Sequence, residues 1–292
     1  MTSKLTGDRL IITVMGATGR QGGAVVGHLL AAGWRVRAVT RNPQKKRAAA
    51  LAARGAEVVQ ADMADPASLE PALRNAYGVF SVQNPMTSGI EAEILQGRTV
   101  AEAAAQAGIR HLVYASAGIG ERGTGVGSWE SKLDVEERLR ELGVPHTVLR
   151  PMAFMELMTD KGFCPAVAMW HLMPKLTGPD LPIHWISVED VGAVVAQIFA
   201  DPHKYVGADL KLCADTRSNA QCRAIWAKVA GRPPQRFPMP LWLFEHFVGQ
   251  DRSRMWRWLR EANLAGDTGP TRAIVPTAMT LDQWLTRQYS AD

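Results

Sequence analysis

The stretch Ile11-Ile12-Thr13-Val14-Met15-Gly16-Ala17-Thr18-Gly19-Arg20-Gln21-Gly22-Gly23 decides the fold. A β-branched run stops at a glycine, two more glycines follow at a spacing of three, and an apolar helical pattern then begins with Ala24, Val25, Leu29 and Leu30. This reads as a strand, a tight turn and a helix. Gly16 can leave the strand through a backbone conformation that a Cβ would penalise. Gly19 lets the backbone approach a diphosphate, and Gly22 lets the helix pack closely on the sheet. The helix then offers free N–H groups and partial positive charge to a phosphate. Gly16, Thr18, Gly19, Arg20, Gln21 and Gly22 are therefore candidate dinucleotide-binding residues.

The next strand points to the kind of dinucleotide. Residues 34–40 alternate apolar and polar positions and end at Arg41-Asn42-Pro43. A fold of this type that binds NAD carries Asp or Glu about 20 residues past the glycines, on the ribose 2′-hydroxyl. No acid occurs between Gly16 and Glu57, and Arg41 and Lys45 stand in that region instead. A carboxylate repels a 2′-phosphate, whereas a guanidinium pairs with it. NADP(H) is the expected cofactor. Lys46 and Arg47 read as a solvated basic face of the helix after Pro43.

Strand and helix patterns alternate up to about residue 150. Strands are expected near 10–15, 34–40, 56–61, 77–82, 111–116 and 146–150, with helices near 20–32, 44–54, 66–75, 90–107 and 129–143. Gly33, Gly55, Gly108 and Gly143 each close a helical pattern. Such alternation implies right-handed βαβ units and a doubly wound parallel sheet, an α/β Rossmann-type fold with its ligand at the carboxyl ends of the strands. Past Pro151 the texture changes. Residues 151–183 are rich in Met, Pro and aromatics, and seven of the nine tryptophans lie beyond Pro151. A helix is expected near 188–200, a strand near 208–213, two or three helices over 216–265 and a last one from Thr280. The domains are accordingly a dinucleotide-binding domain at 1–151 and a smaller, mostly helical C-terminal lobe at 152–292. About 184–213 of the latter is expected to return to the sheet.

The bulk composition narrows the function classes. The chain has 292 residues, 47% hydrophobic and 21% charged, which suffices for a sizeable core. No run of 18 apolar residues occurs and the N-terminus lacks the apolar centre of a signal peptide, so neither membrane insertion nor secretion is expected. Cys164, Cys213 and Cys222 have no metal or redox spacing, and the histidines show no paired ligand spacing. Reduced thiols, a cytoplasmic location and no metal follow as expectations. The net charge of +5 comes without a Lys/Arg block of five, which argues against nucleic acid as a partner.

Several phrases resemble the NmrA-like family of atypical short-chain dehydrogenase/reductases. They are Gly-Ala-Thr-Gly-Arg-Gln-Gly-Gly at 16–23, Val-Thr-Arg-Asn-Pro at 39–43, Leu-Arg-Pro at 149–151, Trp-Ile-Ser-Val-Glu-Asp-Val-Gly at 185–192 and Asp-Pro-His-Lys-Tyr-Val-Gly at 201–207. Thr-Leu-Asp-Gln-Trp-Leu at 280–285 resembles the final helix of the family's NADPH-sensor branch. The resemblance runs in order over nearly the whole chain. It implies NADP(H) as ligand and two possible lives, a redox-sensing regulator or a reductase. It also implies that Thr18, Arg41 and Lys45 hold phosphates, that Asp62 and Met63 lie by the adenine, and that Val82, Gln83 and Asn84 line the ribose and nicotinamide side. Asp62 has an alternative reading as a turn or helix cap.

Ordinary short-chain dehydrogenases use Tyr-x-x-x-Lys, with a serine about a dozen residues earlier. Here Lys132 is preceded four residues back by Ser128, and Ser116 lies at the end of the fifth strand. An aliphatic hydroxyl is a far poorer acid than a phenol. Ser116, Ser128 and Lys132 remain the candidate catalytic residues, with Lys132 also expected on the ribose. The bland alternative for Lys132 is an ion pair with Glu136 one turn on. Tyr114 is expected to point into packing. Met152, Phe154, Met155 and Trp185 are candidates for an apolar acceptor pocket, with Met158, Trp170, Met173 and Trp242 adding apolar surface; a stripe of this kind is also what a core looks like. Trp256 and Trp258, interleaved with arginines, have a pattern also used on nucleic acid, but read better as an amphipathic helix packed on the lobe or a partner surface. Two functions stay open. One is an NADP(H)-dependent reductase of a hydrophobic quinone, enone, imine or carbonyl. The other is a non-catalytic NADP(H) sensor acting through a protein partner, as monomer or homodimer.

Overall fold

A computed structural model describes residues 10–160, 162, 165–166, 168–235 and 238–290. The chain divides into two compact units. The first is built from residues up to Arg122, Ser128–Arg150 and Val188–Lys211; the second from Gly123–Gly127, Pro151–Ser187 and Leu212 onwards.

The first unit grows from central strands that read as apolar runs because both faces are covered, with β2 and β3 toward the edge more polar. β1 (Ile11–Val14) is buried at every position. β2 (Arg35–Thr40), β3 (Glu57–Gln60), β4 (Ala76–Ser81), β5 (His111–Ala115) and β6 (His146–Pro151) follow, each after a helix. These helices are α1 (Arg20–Ala31), α2 (Lys46–Ala53), α3 (Pro66–Leu73), α4 (Pro85–Ser88, a single turn), α5 (Ile90–Gln106) and α6 (Gly127–Glu141). β7 (Ala153–Phe154), β8 (Pro182–Ile186), β9 (Asp209–Leu212) and β10 (Asp215–Ser218) complete the strands.

The main sheet has seven strands in the order β3-β2-β1-β4-β5-β6-β9. β1 pairs in parallel with β2 and β4, and β2–β3, β4–β5 and β5–β6 are parallel too. The β9 bonds advance in step with β6, from Val148 N–Ala208 O to Met152 N–Leu212 O, so this pair is also parallel. The order reverses between β1 and β4, and there the strand ends open a crevice. One face of the sheet is packed by α3, α5 and α6 through Leu69, Val100, Ala104, Val135 and Leu139. On the other face the helix Val188–Ala200 lies so close to α1 that a Cβ on Gly192 would stand 2.8 Å from the Ala24 carbonyl carbon.

The second unit holds a three-stranded sheet, β10-β8-β7, with β10 antiparallel to β8 and β7 parallel to it. Around it are helices at Asn219–Ala230, Leu241–Val248, Gln250–Ala262, Gly269–Ile274 and Leu281–Ser290. The sequence pattern anticipates most of these helices and misses β7, β8 and β10. Asp-Thr-Arg-Ser has the composition of a turn, and only pairing with β8 makes it a strand. Trp256 is buried and stacked on Phe244, ring centres 5.9 Å apart, while Arg254 and Arg257 of the same helix are exposed. That is the amphipathic helix expected there.

Candidate cofactor site

The carboxyl ends of β1 to β5 in the first unit gather most of the residues singled out from sequence. Gly16 has φ +61°, and its carbonyl accepts the Gly19 N–H at 2.8 Å, which closes the turn. A Cβ on Gly22 would fall onto the Gly16 carbonyl oxygen, 2.7 Å from the Gly16 carbonyl carbon and 2.9 Å from Ala17 Cα. The third glycine is thus what allows α1 to sit on the turn. Gly19 is the N-cap residue of α1. No side chain caps that terminus and its first turn holds no acid. Its N–H groups and dipole are arranged for an anion.

Around this terminus stand the cations. Arg41 follows β2 exposed, and among the described residues its guanidinium has no partner, only its carbonyl accepting from Gln60. Lys45 is the exposed N-cap residue of α2. Arg47 is exposed, as the sequence reading has it, and also turns back onto the glycine loop to donate to the Thr18 carbonyl at 3.2 Å. Arg47 lies in the first turn of α2, and its contact with a loop 29 residues earlier is not visible in helical periodicity.

The ends of β3 and β4 are held by local hydrogen bonds. Asp62 Oδ1 accepts the Ala64 N–H at 2.9 Å, so the capping reading of Asp62 holds. Gln83 Nε2 donates to Ser81 Oγ at 3.0 Å and to Met63 Sδ at 3.5 Å. Asn84 caps the turn at Pro85–Ser88 by accepting the Met86 N–H at 3.0 Å. Val82 is half-buried, its Cγ1 beside Gly16. Two buried acceptors here lack a donor among the described residues: Gln21 Oε1 and Gln83 Oε1. An uncapped helix end, a guanidinium without a partner among the described residues and two acceptors likewise without donors fit a dinucleotide's phosphates and ribose hydroxyls.

Lys132 and the serines take posts that sequence proximity does not reveal. Lys132 does not pair with Glu136. It is buried, donating to Glu93 of α5 at 2.7 Å and to the Gln83 carbonyl at 3.3 Å. Glu136 is taken by Arg150, whose two terminal nitrogens reach its carboxylate at 2.9 and 2.7 Å and whose Nε and Nη2 bind Asp209. Ser116 belongs to the same buried cluster, donating to Glu136 and accepting from Arg150 at 3.1 Å. Its hydroxyl is thereby a structural link and not a poised catalytic donor. Ser128 is half-buried in the first turn of α6. Tyr114 is fully buried in the core with its hydroxyl pushed well above its ordinary range, first by burial and then by Glu93 and Glu136. It is a packing residue, as its place in β5 suggested.

The acceptor-pocket residues are corrected in part. Met155 and Trp185 are fully buried in the second unit, and Trp185 Nε1 is bonded to the Arg217 carbonyl at 3.0 Å, so both are core. Trp170 and Met173 are core as well, while Trp242 is 70% exposed. Met152 and Phe154 are half-buried. Met152 borders a cavity of about 40 Å³ with Ile183, His184, Leu259 and Leu264. That holds a water or so, against roughly 300 Å³ or more for an organic ligand.

Sequence reasoning missed Glu93, Arg47 and Arg150 as organisers of this region. Glu93 had a signal: it lies on the stripe Glu93, Gly97, Val100, Ala101, Ala104 that α5 buries, where an acid must have a partner.

Sheet order, glycine turn and open strand ends define a protein of the Rossmann class. Within that class the chain belongs to the NmrA-like family, whose model matches residues 9–285. It is 31% identical over 259 residues to the NmrA-like family domain-containing oxidoreductase lnaB of Aspergillus flavus, covering 80% of this chain and 78% of that one. It is 34% identical over 196 residues to the (4-alkanoyl-5-oxo-2,5-dihydrofuran-3-yl)methyl phosphate reductase of Streptomyces griseus, with 66% and 65% covered. Among solved structures it resembles the negative transcriptional regulator NmrA in complex with NADP, with a TM-score of 0.77, 22% identity and 97% and 96% of the two chains covered. An NADPH-dependent quinone oxidoreductase of Escherichia coli gives 0.76, 21% identity, and 96% and 100% covered. At these identities the two structures speak for the fold.

Proposed function

We propose that this chain is an NADP(H)-dependent reductase of a hydrophobic acceptor. The observation that carries the cofactor choice is the Arg41 guanidinium past β2, without a partner among the described residues, in a stretch without an acid from Gly16 to Glu57. The oxidoreductase relatives of about 30% identity support reduction as the chemistry. When bound, NADPH supplies a hydride from its nicotinamide ring. The protein's own residues do the rest. The N-terminus of α1 holds the diphosphate, Arg41 and Lys45 hold the 2′-phosphate, and Asp62 and Met63 border the adenine. Gln83 offers its free Oε1 to a ligand donor, and Lys132 gives an N–H to the ribose. Without a tyrosine at position 128, the acceptor must need little proton assistance, as a quinone or an activated double bond does.

The sensor reading has one observation in its favour: Lys132 is committed to Glu93 and Gln83 with a serine four residues before it, so no acid is assembled. Calorimetric titration with NADP⁺ and NAD⁺, followed by NADPH oxidation over quinones, enones, imines and aldehydes, separates the readings. We expect NADP⁺ to bind at least about tenfold more tightly, roughly 1.4 kcal/mol, and Arg41→Asp to remove that preference. Equal affinities in the wild type would overturn the cofactor assignment. Tight NADP⁺ binding with no turnover on any acceptor would favour the sensor.

A further inference from the structure

Glu93 is fully buried in α5 and binds two consecutive residues of α6. It accepts from Ser131 Oγ at 2.5 Å and from Lys132 Nζ at 2.7 Å. Lys132 makes its second bond to the Gln83 carbonyl past β4, and its nitrogen stands 5.9 Å from the centre of the Tyr114 ring. An ammonium carries three N–H donors, so one remains. The residue that supplies that carbonyl, Gln83, has a side chain 3% exposed whose Oε1 meets no donor among the described residues. A buried ion pair is a poor device for stability, since apolar residues of the same volume serve as well or better. This pair sits at the carboxyl ends of β4 and β5, where the fold places its ligand.

We propose that Glu93 is the positioning residue that holds Lys132, charged and fixed, so that its third N–H binds a ribose hydroxyl of the dinucleotide. This rests on the reading of Lys132 as a ribose ligand. Glu93 works through Lys132 and touches no ligand itself. The groups facing Lys132 are Glu93, which Ser131 also binds, the Gln83 carbonyl and the Tyr114 ring, with Glu136 one turn on along α6 but committed to Arg150.

The test is NADP⁺ titration by calorimetry at pH 6.5 and 8.5 on the full chain, for wild type, Glu93→Gln, Glu93→Asp, Lys132→Met and the double variant Glu93→Gln/Lys132→Met, each compared with wild type at the same pH. Lys132→Met should bind about tenfold more weakly at both pH values, the loss of one charge-assisted bond. Glu93→Gln should stay within about threefold at pH 6.5 and fall about tenfold at pH 8.5, because a buried ammonium without its carboxylate gives up its proton. The double variant should match Lys132→Met. Glu93→Asp should keep the wild-type pH profile and bind about threefold more weakly. A folded Glu93→Gln with wild-type affinity at both pH values overturns the proposal, as does wild-type affinity in Glu93→Asp, whose shorter side chain cannot hold the ammonium at the same point. Wild-type affinity in Lys132→Met is a different failure, that of the ribose reading itself.

Discussion

Gly22→Ala and Gly23→Ala differ by one position and should move stability in opposite directions. At Gly22 the new methyl meets the Gly16 carbonyl carbon at 2.7 Å and Ala17 Cα at 2.9 Å, besides the Gly16 oxygen. Carbon–carbon contact is comfortable at about 3.5–4.0 Å, so α1 has to withdraw from the turn by about 1 Å. The obstructing atoms are all backbone, and Gly16 at φ +61° is already in a restricted conformation. Overpacking of this kind costs about 3 kcal/mol, the upper end of the usual range. Alanine offsets about 1 kcal/mol of that through helix propensity, leaving a net loss of about 2 kcal/mol. At Gly23 the methyl meets the Ala17 carbonyl oxygen at 3.5 Å, an ordinary contact, so propensity dominates and the variant should gain up to about 1 kcal/mol. Urea denaturation measures both, with the slope checked for constancy. Withdrawal of α1 also spreads the N–H groups of its first turn, so Gly22→Ala should lose NADP⁺ affinity while Gly23→Ala keeps it. Equal stability in the two variants would refute the argument that the turn and α1 touch backbone to backbone.

Three other outcomes can be checked. Arg150→Met should cost about 3–5 kcal/mol, because it strands the buried Glu136 carboxylate, and Arg150→Met/Glu136→Leu should recover most of it; denaturation of the single and double variants decides. His111 is fully buried between Thr147 and the Phe199 ring, and burial first, then His146, lowers its pKa to about 4. Its folded value lies below the unfolded one of 6.5, so this contribution is fully present above pH 6.5 and is lost as pH falls from there to about 4. The loss amounts to about 3 kcal/mol, and His111→Gln should flatten that part of the stability profile. Ser128→Ala should change NADP⁺ affinity and any reductase kcat by less than about twofold. A thousand-fold fall in kcat would show that a Ser–Lys acid operates.

The first 150 residues were legible because local and global signals agree in them. Each strand lies within about two residues of its apolar run. Gly33, Gly55, Gly108 and Gly143, which mark helix ends by composition alone, all have positive φ. The glycine turn was readable for the same reason, since its requirements are met by neighbours in sequence. The partners of Lys132 were not. Sequence offers only the residues three or four positions away on the same helix, and Glu93 lies on another helix, found only through packing. Met155 and Trp185 failed for a related reason. A large apolar side chain suits a ligand pocket and a core equally, and burial in the folded chain decides between them. β10 was hidden because a polar tetrapeptide becomes a strand only when β8 is there to bond it.

The path of the chain through its two units has a bearing on how it is made. The polypeptide leaves the first unit after Arg150, builds residues 151–187 of the second, and returns with Val188–Lys211 to finish the first. A nascent chain that has emerged only as far as residue 187 still lacks β9 and the helix that lies on Ala24. It has an unpaired edge on β6 and a bare apolar flank on α1. The first unit therefore cannot complete itself in order of synthesis. A fragment ending near residue 151 would carry the whole glycine turn and every cation of the candidate site, yet keep that flank exposed. Such a truncation should be prone to self-association through β6. An internal deletion that joins residue 150 to 188 with a short linker, in a chain ended just after β9 near residue 212, is the more promising route to an isolated cofactor-binding unit.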